Sequence, residues 1–94
     1  MSDEPKTVSV RITGRVQGVW FRAWTSREAT ELGLKGWVRN EADGSVSALL
    51  SGAPEAVDAM IRLLWQGPPK ADVTDVKVED AGPTEALSGF QVLR

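Results

Sequence analysis

The residues best suited to chemistry lie in one short segment, from Gly14 to Arg22. It leaves an alternating strand and enters a helical stretch near Phe21. Backbone N–H groups in a glycine-bracketed loop, with the dipole of the following helix behind them, favour a bound anion. Arg22 adds a planar guanidinium that can bind phosphate through two hydrogen bonds. The segment therefore predicts a phosphate-binding loop. Its assigned residues are Arg15, Val16, Gln17, Gly18, Val19, Trp20, Phe21 and Arg22.

Composition narrows the chemistry that is available around this loop. The net charge of −2 gives no general attraction to nucleic acid or anionic lipid, so an anionic ligand needs a local positive site. The chain has no cysteine and no histidine, which excludes disulfides, thiolate metal sites and the usual general base. The carboxylates are scattered, without the spacing of metal ligands. We therefore predict no metal and no cofactor.

The length of 94 residues corresponds to one domain. We predict a flexible tail over residues 1–6 and a single domain over residues 7–94. The tail lacks the apolar segment of a signal peptide, and no apolar run is long enough to span a membrane. These features predict a cytoplasmic protein without a membrane partner, and the short chain favours a monomer.

The elements that must position the loop follow from hydrophobic periodicity. Alternation predicts strands over residues 7–13, over residues 35–40 and from Val46 to Leu50. A fourth strand is predicted around Val76 and Val78, and a short further one over residues 90–93. The pair Asp43-Gly44 predicts a hairpin between the second and third strands.

Two helices complete the predicted elements. Residues 22–33 form the first, with Phe21, Thr25, Ala29 and Leu32 on one face and Gly33 as its C-terminal cap. Pro54 begins the second, and Gly67-Pro68-Pro69 ends it. Its apolar face is formed by Val57, Met60, Ile61 and Leu64.

The order β-α-β-β-α-β predicts an α+β sandwich of the ferredoxin-like type, an antiparallel sheet with two helices on one face. The first two strands are joined through a helix, so they run parallel through a right-handed crossover. Their C-terminal ends then lie at the same sheet edge, ~10 Å apart if one strand separates them. We therefore expect Arg22, the loop amides and Asn40 to face one pocket.

Two segments carry a resemblance to a known family. The sequence from Gly14 to Arg22 resembles the first signature of the acylphosphatases, and residues 32–40, followed by residues 43–46, resemble the second. Gly67-Pro68-Pro69 is also similar, and the resemblance covers about residues 7–94. Lys35 and Glu41 lie at positions where family members differ, and both are candidates for tuning the charge near the pocket.

The resemblance implies hydrolysis of an acyl phosphate, the small-molecule substrate, to a carboxylate and inorganic phosphate without a cofactor. It implies that Arg22 binds the phosphoryl group and that Asn40 orients the attacking water. The chemistry fits the composition, because a carboxylate is a weak base and leaves without a general acid. The protein need only hold the phosphoryl group, neutralise its charge and place a water in line.

Each of these residues also has a plainer interpretation. The glycine loop alone is compatible with a tight connection, Arg22 with a solvated helix residue and Asn40 with a turn residue before a hairpin. The alternative function is a catalytically silent anion-binding or regulatory domain on the same fold. The presence of both Arg22 and Asn40 favours the enzyme, because a binding module has no need for an amide that orients water.

The four tryptophans raise the question of base stacking, as in RNA-binding proteins of this fold. We expect the exposed strand face to lack interleaved basic and aromatic residues. The tryptophans are therefore assigned to core or rim packing, and no nucleic-acid partner is predicted.

Overall fold

The computed structural model describes residues 4–82 and 87–93. Within them the element order is the predicted one with a fifth strand at the end. The strands are β1 (Lys6–Arg15), β2 (Lys35–Asn40), β3 (Val46–Gly52), β4 (Asp72–Asp80) and β5 (Phe90–Val92), and the helices are α1 (Phe21–Glu31) and α2 (Pro54–Gln66). Of the predicted tail over residues 1–6, residues 1–3 lie outside the described part, and Lys6 already belongs to β1.

The strands form one sheet in the order β4-β1-β3-β2-β5. β1 is antiparallel to β3 and β4, and β2 is antiparallel to β3. β1 and β2 therefore run in the same direction with β3 between them, as predicted from the topology. The sheet as a whole is mixed, because β5 pairs with β2 in parallel. The predicted antiparallel arrangement holds for β1 to β4.

Both helices pack against one face of the sheet, and the core lies between these layers. The register opposes Val8 to Leu50, Val10 to Ala48 and Ile12 to Val46, so their side chains share that face. The other fully buried large side chains of the core include Phe21, Val38, Val57, Met60 and Leu64. Leu32 and Ile61, predicted on the helix faces, are half-buried. Within the described residues, neither helix is long and apolar enough to cross a membrane.

α1 ends two residues before the predicted limit at residue 33. After Glu31, the Leu34 amide donates to the Ala29 carbonyl and the Gly33 amide to the Thr30 carbonyl. This pair of bonds is a Schellman motif, which requires a left-handed residue, and Gly33 supplies it with φ of 75°. The prediction that Gly33 caps the helix is confirmed.

The predicted alternation of β4 is confirmed, but the burial of its two valines differs. The register pairs Val76 with Ile12 and Val78 with Val10, so both valines face the helix layer. Val76 is 7% exposed, whereas Val78 is 41% exposed. β4 is an edge strand with a neighbour on one side only, which explains why part of its apolar face stays open.

Gly14 lies in the sheet and not in the loop. It pairs with Val73 after a register shift at Thr13, and its φ is 118°. A Cβ atom here would collide with the carbonyl oxygen of Asp72. The glycine is therefore required by a bulge against β4, which corrects the prediction that Gly14 opens the loop. β1 continues to Arg15, and the connection to α1 is residues 16–20.

Gly36 predicts a measurable effect on stability. A Cβ there would collide with the Leu49 carbonyl across the β2–β3 pair, whereas a Cβ at Gly44 in the hairpin turn meets nothing. Both positions have positive φ, of 142° and 94°. We expect Gly36→Ala to lower the free energy of unfolding by about 1–3 kcal/mol more than Gly44→Ala, because only the former adds overpacking to backbone strain. Urea denaturation of both variants measures this difference, and equal losses would contradict it.

Candidate active site

The connection between β1 and α1, residues 16–20, is here called the 16–20 loop. Gly18 has φ of 74° and Trp20 has φ of 68°, while the intervening Val19 has negative φ. Alternation between residues of positive and negative φ can turn successive N–H groups toward a common centre, which is a geometry that anions can occupy. Trp20 is the N-cap of α1, and its carbonyl accepts the amide of Trp24 at 2.9 Å. The loop and the helix N-terminus thus form one concave end.

The backbone amides of this end are unpaired within the part of the chain that the structure describes. Within residues 4–82 and 87–93, no hydrogen bond from the backbone N–H groups of residues 18–22 to another protein group is found. The first amides of any helix lack intrahelical acceptors, and here no side chain caps them. The arrangement suits an anion with several oxygens, such as phosphate.

Buried side chains fix both ends of the loop. Val16 and Phe21 are each 1% exposed and belong to the core. Because their side chains are buried, Val16 and Phe21 can contribute only backbone groups to the predicted phosphate site. Arg15 is the last residue of β1, exposed and paired with Asp72 in β4.

Gln17 connects the loop to the β2–β3 hairpin. Its side-chain Nε2 donates to the carbonyl of Glu41 at 2.8 Å and to the carbonyl of Ser45 at 2.9 Å. These two residues also bond each other, through the Glu41 amide and the Ser45 carbonyl at 2.8 Å. The Gln17 side chain is therefore engaged with the residue that directly follows Asn40, and its backbone N–H is the group left for a ligand.

Arg22 is the second residue of α1, and its guanidinium is hydrogen-bonded to the residue that follows β5. Its Nη1 donates to the carbonyl of Leu93 at 2.9 Å. The amide of Leu93 in turn donates to the carbonyl of Val38 in β2 at 2.8 Å. Through Leu93, Arg22 is fastened to β2 at a point two residues before Asn40.

Asn40 is the last residue of β2 and is half-buried. Gly36 and Val38 are buried under the helix layer, and the period of two in a strand places Asn40 on the same face. Arg22 and the 16–20 loop belong to the same layer. The two sets of hydrogen bonds, from Gln17 and from Arg22, thus bring the loop and the end of β2 together at one sheet edge.

The hairpin turn beside Asn40 is held by an aspartate. Oδ1 of Asp43 accepts the Ser45 hydroxyl at 2.6 Å and the Ser45 amide at 2.9 Å. The hydroxyl, followed by the amide, lowers the pKa of Asp43 below its ordinary value. Gly44 has φ of 94°, so the predicted Asp-Gly turn is confirmed.

Glu41 faces away from the proposed pocket. Its Oε2 accepts Nε of Arg39 at 2.7 Å, and this bond, with one from the Ser47 hydroxyl, lowers the pKa of Glu41. Arg39 and Ser47 lie on the open face of the sheet, opposite the helices. Lys35, the other variable position, is exposed at the start of β2. In the described part of the chain, no group of three or more His, Cys, Asp or Glu residues is arranged to hold a metal ion.

The open face is more basic than the sequence analysis expected. A depression of about 410 Å³ there is lined by Trp37, Arg39, Arg11 and Lys77, among others. Arg39 stacks on Trp37, with 4.8 Å between the guanidinium carbon and the ring centroid. The expectation that this face lacks basic and aromatic residues is therefore wrong. Acidic groups balance these cations, since Asp43 lies 3.6 Å from Arg11 and Glu41 pairs with Arg39.

The fold defines a class, a ferredoxin-like α+β domain, in which the loop between β1 and α1 lies beside the end of β2. The acylphosphatase family model matches residues 8–92. The acylphosphatase of Rhizobium meliloti (strain 1021) is 54% identical over 94 residues, covering 100% of this chain and 99% of the relative. The chain belongs to the acylphosphatase family, which confirms the resemblance carried by the two signatures.

Solved structures agree with this assignment. An acylphosphatase from Coxiella burnetii superposes with a TM-score of 0.90 at 36% identity, covering 96% of this chain and 94% of that one. An acylphosphatase from Bacillus subtilis superposes with a TM-score of 0.90 at 33% identity, covering 94% and 98%. The predicted ferredoxin-like fold is confirmed.

The Gln17 bridge predicts a stability loss specific to its two hydrogen bonds. Gln17→Met keeps the length of the side chain but leaves the Glu41 carbonyl without its donor. We expect a loss of about 1–2 kcal/mol in the free energy of unfolding. Gln66→Met, at an exposed position at the end of α2, is the matched control and should change stability little. Equal urea midpoints for the two variants would show that the bridge does not stabilise the fold.

Asp43 predicts a pH-dependent contribution to stability. Its pKa is lower in the folded protein, so ionised Asp43 stabilises the turn above the ordinary value of 3.8. This contribution is lost as the pH falls through the lower folded-state pKa. Asp43→Asn should therefore destabilise the protein more at about pH 7 than at about pH 3. Denaturant unfolding at both pH values tests this, and a difference that does not change with pH would refute it.

Proposed function

We propose that this protein hydrolyses acyl phosphates to a carboxylate and inorganic phosphate at the sheet edge formed by the 16–20 loop, Arg22 and Asn40. The observation that carries the proposal is the set of free loop amides held beside Arg22 and the end of β2. The name acylphosphatase of the Rhizobium meliloti relative supports the same activity.

The phosphoryl group is bound by the loop amides, the N-terminus of α1 and Arg22. Its oxygens carry negative charge, which the free N–H groups and the helix dipole stabilise. A guanidinium has five N–H donors, and Leu93 accepts from one of its nitrogens. The remaining donors are available to the phosphoryl oxygens in a preset orientation, which reduces the entropy lost on binding. The backbone of the other assigned residues, from Arg15 to Phe21, completes the binding segment.

Asn40 orients the attacking water. Its side-chain amide offers both a donor and an acceptor and lies on the face of the sheet that carries the loop. A water held there is placed for in-line attack on phosphorus. The leaving carboxylate needs no proton, so the reaction proceeds without a general acid and without a cofactor.

The alternative is an anion-binding domain without catalysis. It shares the loop and Arg22 with the enzyme but gives Asn40 no role beyond the turn. The observation that favours the enzyme is the placement of Asn40 on the helix face beside the loop, where a turn residue has no need to be. A monomeric state, a cytoplasmic location and the absence of a nucleic-acid partner stay predictions.

Substitutions at Arg22 and Asn40 separate the two functions. Arg22→Ala should weaken inhibition by inorganic phosphate and also lower turnover, because the charge contacts both substrate and transition state. Asn40→Ala should lower kcat by about 10²–10³ and leave phosphate inhibition nearly intact, because water placement matters only in the chemical step. The measurement is steady-state hydrolysis of benzoyl phosphate with inorganic phosphate as inhibitor.

Two further variants control this experiment. Arg62→Ala removes an exposed arginine from α2 and should leave turnover unchanged. Arg22→Lys keeps the charge but loses the planar fork, and should recover only part of the activity. Thermal melts establish that each variant is folded. Full turnover of folded Asn40→Ala would contradict the proposed role of Asn40, and absence of hydrolysis in the parent protein would contradict the proposed activity.

A further inference from the structure

A second concavity adjoins the 16–20 loop on the side away from Arg22. It has a volume of about 390 Å³ and is lined by residues 18–20, by Trp24 and Arg27 of α1, and by residues 68–70 after α2. This concavity is here called the acyl groove. We propose that it binds the acyl group of the substrate and selects flat apolar acyl groups that carry a second negative charge. The inference rests on the proposed acyl phosphate hydrolysis.

The position of the groove matches the geometry of the reaction. Successive helix residues turn by about 100°, so Trp24 points about 200° away from Arg22 around α1. The Arg22 side faces Leu93 and β2, and the Trp24 side faces the segment after α2. In an in-line displacement, the nucleophile and the leaving group lie on opposite sides of phosphorus. A water attacking from the side of Asn40 therefore directs the leaving carboxylate across the loop toward the groove.

The walls of the groove are flat and apolar. The indoles of Trp20 and Trp24 and the rings of Pro68 and Pro69 contribute its surface. The Trp24 ring is braced by Phe21, with 5.5 Å between ring centroids. A planar acyl group can stack on the indoles, because offset aromatic contacts are favourable in addition to the apolar burial. The volume is within the range of small-ligand sites.

Trp20 is an unusual residue for its position. It has left-handed backbone with φ of 68°, which favours glycine, and its side chain is 78% exposed. Neither the backbone nor the packing of the fold requires a large indole there. Backbone strain of this kind persists chiefly at functional sites, and the indole is placed where the groove meets the free amides.

The lining of the groove includes two positively charged residues. Arg27 and Lys70 line it and are exposed, and within the described part of the chain neither forms an ion pair. No carboxylate is among the described lining residues. Two cations in the lining of an apolar groove fit an acyl group that carries a further negative charge.

Three substrates and paired variants test the proposal. Acetyl phosphate has almost no acyl group, benzoyl phosphate has a flat ring, and para-carboxybenzoyl phosphate adds a charge. The readout is the ratio of kcat/KM between two substrates, compared across variants so that differences in intrinsic reactivity cancel. The parent should prefer para-carboxybenzoyl phosphate to benzoyl phosphate.

Trp24→Ala should lower the benzoyl-to-acetyl ratio about tenfold, which corresponds to losing one stacking surface. Trp24→Leu, which preserves packing against Phe21, should lower it less. Trp65→Ala removes a half-exposed indole from α2 outside the groove and should leave the ratio unchanged. An unchanged ratio in folded Trp24→Ala and Trp24→Leu overturns the apolar part of the proposal.

Arg27→Gln/Lys70→Gln should lower the preference for para-carboxybenzoyl over benzoyl phosphate about three- to tenfold at low salt. The charge-matched control is Arg62→Gln/Lys77→Gln, which should retain the preference. Equal effects of the two double variants overturn the charged part. If the parent hydrolyses none of the three substrates, the proposed function is wrong. If it hydrolyses them and no groove variant changes the kcat/KM ratios, the proposed function stands and only the acyl groove is wrong.

Discussion

The 16–20 loop keeps its backbone amides free because side chains, and not backbone hydrogen bonds, hold it in place. A tight turn usually satisfies its own N–H groups and then has nothing to offer a ligand. Here the side chains of Val16 and Phe21 enter the core at the two ends of the loop. The side-chain amide of Gln17 anchors the segment between them through two hydrogen bonds. Within the described residues, these anchors hold the loop without using its backbone N–H groups. The proposed anion site depends on this use of side chains in place of backbone hydrogen bonds.

The same principle extends to Arg22. A solvated arginine loses considerable side-chain entropy when it binds an anion. The carbonyl of Leu93 fixes the guanidinium beforehand, and the Leu93 amide is fixed in turn by Val38. The short parallel strand β5 therefore does more than extend the sheet. It positions Leu93, the residue directly after it, which connects the arginine of α1 to the strand that ends at Asn40.

Periodicity and turn chemistry predicted the elements because these signals are local. Alternation places Val8, Val10 and Ile12 on one face whatever the rest of the chain does, and the Asp43-Gly44 turn is decided within a few residues. Gly14 was wrongly assigned to the loop because the neighbouring sequence does not show why a glycine is required there. The requirement comes from close contact with Asp72, which lies 58 residues further along the chain.

The supports of the site were not visible in the sequence for the same reason. The Gln17 side chain bonds carbonyls 24 and 28 residues away, and a carbonyl acceptor has no sequence signature. The signatures therefore indicated Arg22 and Asn40, whereas the bond that orients Arg22 and the bonds of Gln17 beside Asn40 required the structure. The basic open face was also missed, because its cations come from three strands that become neighbours only in the sheet.

The bond from Arg22 to Leu93 joins residues 71 positions apart. Contacts of such separation form late, since the chain must close a long loop before they contribute. The 16–20 loop, by contrast, needs only β1, α1 and the β2–β3 hairpin, because its longest anchoring bond, from Gln17 to Ser45, spans 28 residues. We therefore expect the bond from Arg22 to Leu93 to form after the loop is anchored. Until Leu93 lies beside Val38, the guanidinium of Arg22 lacks the carbonyl that orients it. The orientation of this arginine thus depends on the last strand of the described chain.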